Sequence, residues 1–178
     1  YGPNWHGWAG PHSFHTLNAK FNIRGNNDGE RTVVVSNIYM SSASYMVERS
    51  ASIRASLKNS RSLAGDAGLS VLCGDMNTYG YDSPRAFGQN RITVPITAAI
   101  AAIGRLDLLE VEHIKKLASG KGLEFQKADI GNEPTITAAG IVGMQLDHAF
   151  ARGVSEVTAV PIPVEFTDHK VLETSLRF

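Results

Sequence analysis

The chain of 178 residues has a single cysteine, Cys73, and no excess of either charge: 17 Lys and Arg stand against 17 Asp and Glu. One thiol excludes an internal disulfide and a cysteine-based zinc cluster. It does not fix a compartment, and the cytosol is compatible. Zero net charge argues against an arm-like or histone-like nucleic-acid binder, whose affinity rests on many cationic contacts. It leaves room for a nuclease with a local basic groove. No run of about 18 apolar residues is present to span a membrane, and no basic segment followed by an apolar core opens the chain. Tyr1 rather than Met stands first, which suggests a processed or shortened chain. Charged residues make up only 19% and hydrophobic ones 43%, enough for a packed core and too apolar for disorder. At roughly 100–200 residues per domain, the length predicts one domain over 1–178. Residues 1–13 read as an irregular lead-in rich in Gly, Pro, Trp and His. Trp5 and Trp8 in it are either base-stacking groups or caps over a core edge.

From Phe14 to Ile23 the pattern alternates, with Leu17, Ala19, Phe21 and Ile23 on one face and Asn18, Lys20 and Asn22 on the other. That is the pattern of a half-buried strand. A turn cluster over Arg24–Glu30, containing Asn-Asp-Gly, joins it to a second strand over Thr32–Met40 in a hairpin. The second strand is apolar on both faces, as a central strand is. Tyr45–Leu63 reads as a helix with Met46, Ile53 and Leu57 at helical spacing, and with Arg49, Arg54, Lys58 and Arg61 on a solvated face. Leu69–Asp75 is a short apolar strand, and Thr78–Asn90 a loop. Helices are predicted from Thr93 to Ile103, opened by a proline where its missing donor is harmless, and from Leu108 to Leu117. Strand candidates follow around Leu123–Gln126, Met144–Ala151, Val157–Ile162 and Val171–Phe178.

Several of these strands finish on polar groups that a core does not want, and strand-end loops are where layered α/β proteins collect their chemistry. Val71-Leu72-Cys73-Gly74 runs into Asp75 and Asn77, which share a side if the chain stays extended. A carboxylate there can orient or deprotonate water and the amide can hold a phosphate oxygen; a plain Asp/Asn turn has the same sequence. In Gln145–Phe150, Asp147 alternates to the face opposite Leu146, His148 and Phe150, so His148 packs with apolar residues. Thr167-Asp168-His169 before the last strand offers a metal-binding carboxylate beside an imidazole, or a loop Asp that caps its own backbone. Asn37 and Tyr39 share one face near the end of the second strand, as any strand-end polar pair does.

Taken in order, Gly-Asp-Met-Asn, Leu-Asp-His-Ala-Phe and Thr-Asp-His before a terminal strand resemble the endonuclease/exonuclease/phosphatase superfamily, the deoxyribonuclease-I-like proteins. Val-Ser-Asn-Ile-Tyr-Met looks like the strand that bears a catalytic Tyr or His there. The resemblance runs from about Phe14 to Phe178. It implies an α/β fold, a two-sheet sandwich, and Mg²⁺- or Mn²⁺-dependent phosphoester hydrolysis by in-line water attack. On that likeness Asp75 positions or deprotonates the water, and Asn77 bonds the scissile phosphate or the nucleophile. Asp168 faces the metal. His169 binds the phosphate, and Asp147 accepts its other ring N–H and so fixes the tautomer. Tyr39 contacts the phosphate or assists the leaving group. Positioning and charge neutralisation dominate phosphoryl transfer, and magnesium takes few carboxylates plus waters.

The likeness has two departures. The family has Ser-Asp-His with a proline soon after; here Thr167 replaces Ser, and Lys170-Val171 follow. Family members also carry an early Asn and a metal-binding Glu on N-terminal strands, and this chain has no counterpart: Glu30 lies in a turn and Glu48 on a helix. A second chain or a missing N-terminal half is therefore expected to complete the sandwich. Three functions follow as expectations: a nuclease-type phosphodiesterase acting on nucleic acid, a phosphatase- or phospholipase-type hydrolase, or a non-catalytic binding or assembly module. Arg49, Arg54, Lys58, Arg61, Arg85 and Arg91 are available for local basic patches, and Tyr79, Tyr81 and Arg85 for substrate contact.

Overall fold

The computed structural model describes residues 14–24, 29–41, 44–78, 106–131, 133–138, 142–165 and 167–178. The lead-in with Trp5 and Trp8, the Thr93–Ile103 helix, and Tyr79, Tyr81, Arg85 and Arg91 lie outside them. The elements run β1 (Phe14–Arg24), β2 (Glu30–Met40), α1 (Met46–Ala64), β3 (Leu69–Asp75), α2 (Leu106–Ser119), β4 (Gln126–Lys127), β5 (Ile136–Ala138), β6 (Val142–Met144), β7 (Asp147–Arg152), β8 (Glu156–Ile162) and β9 (Val171–Arg177).

The hairpin pairs Phe14 with Met40 through Arg24 with Glu30. β2 and β3 are parallel, a pairing that needs a crossover, and α1 supplies it. Glu48 reaches back to accept the Tyr45 N–H at 3.0 Å, one half of a capping box, and the helix stops at Gly65, whose φ of 76° suits glycine. The large sheet has the order β1-β2-β3-β7-β4. One face packs on α1 and α2 through Ile38, Met40, Ile53, Leu57, Leu72, Ile114, Phe125 and Phe150. The other packs on the β8–β9 ladder through Leu69, Val71, Ala149, Ala151, Val157 and Ala159, with Leu172 and Leu176 at its margin. The result is a two-sheet sandwich with helices outside one sheet. Among the described residues no helix is long and apolar enough to cross a membrane.

Four sequence expectations need correction. Arg49 is not on a solvated face: its side chain is fully buried and pairs with Glu110 of α2, its Nη2 donating at 2.8 Å and its Nε at 2.9 Å. Helix α2 crosses α1 at that point, and periodicity within one helix carries no information about a second. Met46, assigned to the apolar stripe, is 40% exposed. The Met144–Ala151 run is two strands, broken at Gln145-Leu146 where tertiary hydrogen bonds capture the backbone. The Gln145 N–H donates to Asp107 Oδ2, and the Leu146 carbonyl accepts from Met76 N. The Leu123–Gln126 candidate shrinks to the two-residue β4, with Leu123 buried in a turn. The β5–β6 ladder was not anticipated.

The alternation of β1 is present, but its buried side is not the apolar one. Phe14, Thr16 and Asn18 are half-buried toward α1. There Thr16 shares a hydrogen bond with Ser56, and the Ser36 hydroxyl contacts Asn18 Oδ1 at 2.7 Å and Ser60 Oγ at 3.1 Å. Leu17, Phe21 and Ile23 are 73%, 51% and 43% exposed on the opposite face. Among the described residues the β8–β9 layer covers β3 and β7, with Val33 of β2 at its margin, and β1 lies beyond it.

Candidate active site

Gly74 brings the end of β3 unusually close to β2. Its φ is 134°, and a Cβ there would collide with the Ile38 carbonyl oxygen and with Asn37 Oδ1. This approach seats Asp75 beside Tyr39 on one side and Asp147 on the other, each in direct register on the same sheet face. The strand ends at Asp75, so extended geometry does not carry on to Asn77. Asn77 instead turns to a φ of 47°, a left-handed conformation that Asn tolerates better than most residues. The turn folds it back: its N–H donates to Asp75 Oδ1 at 2.9 Å and its Nδ2 to Asp75 Oδ2 at 3.0 Å. The same Nδ2 donates to the Met40 carbonyl at 2.6 Å. Asn77 is buried, and its amide nitrogen is directed at the carboxylate and at β2.

Burial and the neighbouring Asp147 charge push the Asp75 carboxyl up to about 6, against the opposing pull of the Asn77 N–H, the His169 ring and the Asn77 side chain. Asp147 in turn meets His169 from the segment before β9, Oδ2 to Nδ1 at 2.8 Å. Burial lowers the His169 imidazole, but the Asp147 hydrogen bond and the charges of Asp147, Asp75 and Asp168 outweigh it and leave it raised. Asp168 is exposed; Thr167 Oγ1 accepts the His169 N–H at 3.1 Å and lies 3.5 Å from Asp168 Oδ1. Tyr39 is 52% exposed at the rim. Tyr39, Asp75, Asn77, Asp147, Asp168 and His169 thus fall at one end of the sandwich, from β2, β3 and the turn after it, β7, and the segment before β9.

A carboxyl near 6 has a direct consequence. Its folded value exceeds the ordinary 3.8, so between 3.8 and about 6 the folded chain holds a proton that the unfolded chain has released. Asp75 therefore favours folding below this window, and that contribution is lost as pH rises through about 6. We expect ¹³C NMR to find the Asp75 midpoint near 6, and Asp147→Asn to bring it down toward the ordinary range. A midpoint near 4 in the parent chain would contradict this electrostatic picture.

Two supporting residues escaped the sequence reading. Thr135 and Thr78 are fully buried hydroxyls, and nothing in their local sequence separates them from any loop threonine. Thr78 Oγ1 donates to the Gln145 carbonyl at 2.6 Å and sits 2.7 Å from His148 Nε2. His148 does pack among apolar groups, beside Phe150. Burial, reinforced by the Lys127 charge, drives its pKa well below the ordinary value, so the ring is neutral. With Nε2 as donor to Thr78, its Nδ1 finds no partner among the described residues.

Among the described residues no group of three or more His, Cys, Asp or Glu side chains is arranged to hold a metal ion. Both Asp75 oxygens are engaged by Asn77 and Asp147 Oδ2 by His169, which leaves Asp168 as the open carboxylate. One carboxylate with waters and substrate oxygens is a partial magnesium site.

No family model matches the chain, and neither does any curated protein. A solved structure does: the catalytic domain of Xenopus laevis APE2, with 13% sequence identity and a TM-score of 0.50, over 91% of this chain and 56% of that one. The fold is that of the deoxyribonuclease-I-like sandwich. At this identity the likeness carries the fold alone, and the chain spans little more than half of the domain it resembles.

Proposed function

We propose that this chain carries the catalytic face of a metal-dependent phosphodiesterase of the nuclease type. The observation that carries the reading is the Asp147–His169 pair, 2.8 Å apart, beside an Asp75 carboxyl pushed up to about 6. A base with that value is ionised at neutral pH yet stronger than an ordinary carboxylate, as proton abstraction from water requires. Asn77 holds it in place. His169, its Nδ1–H directed to Asp147, in its protonated form donates Nε2–H to a phosphate oxygen and stabilises the charge that develops there. Tyr39 lies within the same face to contact the phosphate or assist the leaving group. Asp168 would hold a Mg²⁺ or Mn²⁺ ion together with ligands from outside the described residues, and the ion would neutralise phosphate charge. The fold neighbour, itself a catalytic domain, supports the nuclease direction, with nucleic acid as substrate.

The test is hydrolysis of bis-p-nitrophenyl phosphate and plasmid DNA with Mg²⁺ or Mn²⁺, alongside calorimetric titration with Mn²⁺. Activity and saturable Mn²⁺ binding that both vanish in Asp168→Asn are expected. A folded protein that neither binds Mn²⁺ nor cleaves either substrate would instead be a binding or assembly module.

The uncovered face of β1 belongs to the same reading. Leu17, Phe21 and Ile23 are exposed there, and among the described residues β9 pairs only with β8. An apolar face beside an open strand edge is a place for more strands. We propose that further strands, from a longer form of this polypeptide or from a second chain, pair with β9 and lie over β2 and β1. Hydrogen exchange checks this: β9 amides that point away from β8 exchange freely in the 178-residue chain and become protected in the longer protein or complex. Equal exchange in both would refute it.

A further inference from the structure

Asp147 and His169 lie on separate segments, and each has a backbone that must be held for their side chains to meet. One residue touches both backbones. Thr135 is fully buried, and its Oγ1 accepts two amide protons, from Leu146 N at 2.9 Å and from Asp147 N at 3.0 Å. Its carbonyl accepts the Lys170 N–H at 2.6 Å, and its own N–H donates to the Met144 carbonyl at 2.9 Å. The next residue, Ile136, forms an antiparallel bridge with His169. Four hydrogen bonds from one residue therefore fix the start of β7 and the approach to β9 relative to each other. Two of them depend on a side-chain oxygen that valine lacks.

We propose that Thr135 is the positioning residue of the Asp147–His169 pair, setting the separation at which the carboxylate captures the ring. The structural claim rests on the contacts above; its catalytic weight rests on the function proposed in the preceding section. Without the hydroxyl, two buried amides lose their acceptor, the 145–147 turn relaxes, and Asp147 Oδ2 leaves its place opposite Nδ1. Thr135 touches no reacting atom, and its effect passes through Asp147.

The readout is the His169 tautomer, taken from ring ¹⁵N shifts at one fixed alkaline pH where the ring is neutral. A ring held by Asp147 keeps its proton on Nδ1, whereas a released ring moves to the Nε2–H form that free imidazole favours. The parent chain and Thr135→Ser are expected to show Nδ1–H, while Thr135→Val and an Asp147→Asn control show the released pattern. In the active protein Thr135→Val lowers kcat by about 10- to 100-fold with little change in KM, and Thr135→Ser restores it. If Thr135→Val does not fold, Thr135→Ala is compared with Thr135→Ser below both melting points. A Val or Ala variant that keeps the Nδ1–H form overturns the proposal, as does a Ser variant that loses it. A parent chain lacking the Nδ1–H form overturns the pair itself. The tautomer shift without any measurable hydrolysis, in contrast, would uphold the role of Thr135 and count against the proposed enzyme.

Discussion

His169→Ala is expected to lower phosphodiester hydrolysis about 10³-fold while leaving the fold intact. The two parts of this expectation rest on different observations. The side chain is 28% exposed at the open end of the sandwich, so its removal costs little core packing. Its ring, in contrast, is the group best placed to meet a phosphate oxygen, because Asp147 engages Nδ1 and leaves Nε2 outward. Losing one preorganised donor to a developing oxyanion costs roughly 10²–10³ in rate; losing an acid–base group costs roughly 10²–10⁴. The check is kcat for bis-p-nitrophenyl phosphate with Mg²⁺, beside a melting curve. A loss of less than about tenfold would remove His169 from the site.

The largest effect on stability is expected at the buried ion pair between α1 and α2. Glu110→Ala should cost about 3–5 kcal/mol, because removing one partner of a buried ion pair is strongly destabilising. Arg49 and Glu110 are both fully buried. Besides its two bonds to Glu110, Arg49 donates from Nη1 to the Ser44 carbonyl at 2.6 Å. In a chain of this size the loss corresponds to a fall in Tm of roughly 10 °C. The pair Arg49→Met with Glu110→Leu should recover most of it, since apolar replacements of buried ion pairs are often neutral or stabilising. Denaturant unfolding of the three proteins decides the matter: a Glu110→Ala cost under about 1 kcal/mol would mean that water reaches the pair.

The contrast between these two regions shows what a sequence discloses. His169, Asp147 and Asp75 stand out because polar groups at the mouths of apolar strands are costly to a core, and the strands themselves follow from the short apolar run over Leu69–Asp75 and the period-two patterning of the last strand, Val171–Arg177. Arg49 was misread because its burial depends on Glu110, a residue of another helix, and no local period encodes that meeting. Thr135 was missed for the same reason. Its four partners lie on the 144–147 segment and at Lys170, and its own neighbours in sequence are unremarkable. The face of β1 misled differently: Leu17, Phe21 and Ile23 alternate as a buried face does, yet among the described residues they stand exposed. The Met144–Ala151 run broke because Asp107, Thr135 and Met76 capture its backbone, and tertiary capture overrides local strand preference.

The Asp147–His169 contact also crosses from one sheet of the sandwich to the other. Asp147 opens a strand of the large sheet, and His169 leads into the last strand of the small one. Asp75 and Tyr39 sit on strands formed from much earlier sequence. On a ribosome, the large sheet's β1–β3 portion is therefore made with its carboxylate in place but with no imidazole to serve it. The acid–base pair comes into being only when the final hairpin lies down over β7. A nascent chain lacks this contact until synthesis has passed His169, and a chain whose small sheet docks out of register lacks it too. The contact is thus a marker of correct assembly: it forms only with closure of the two layers.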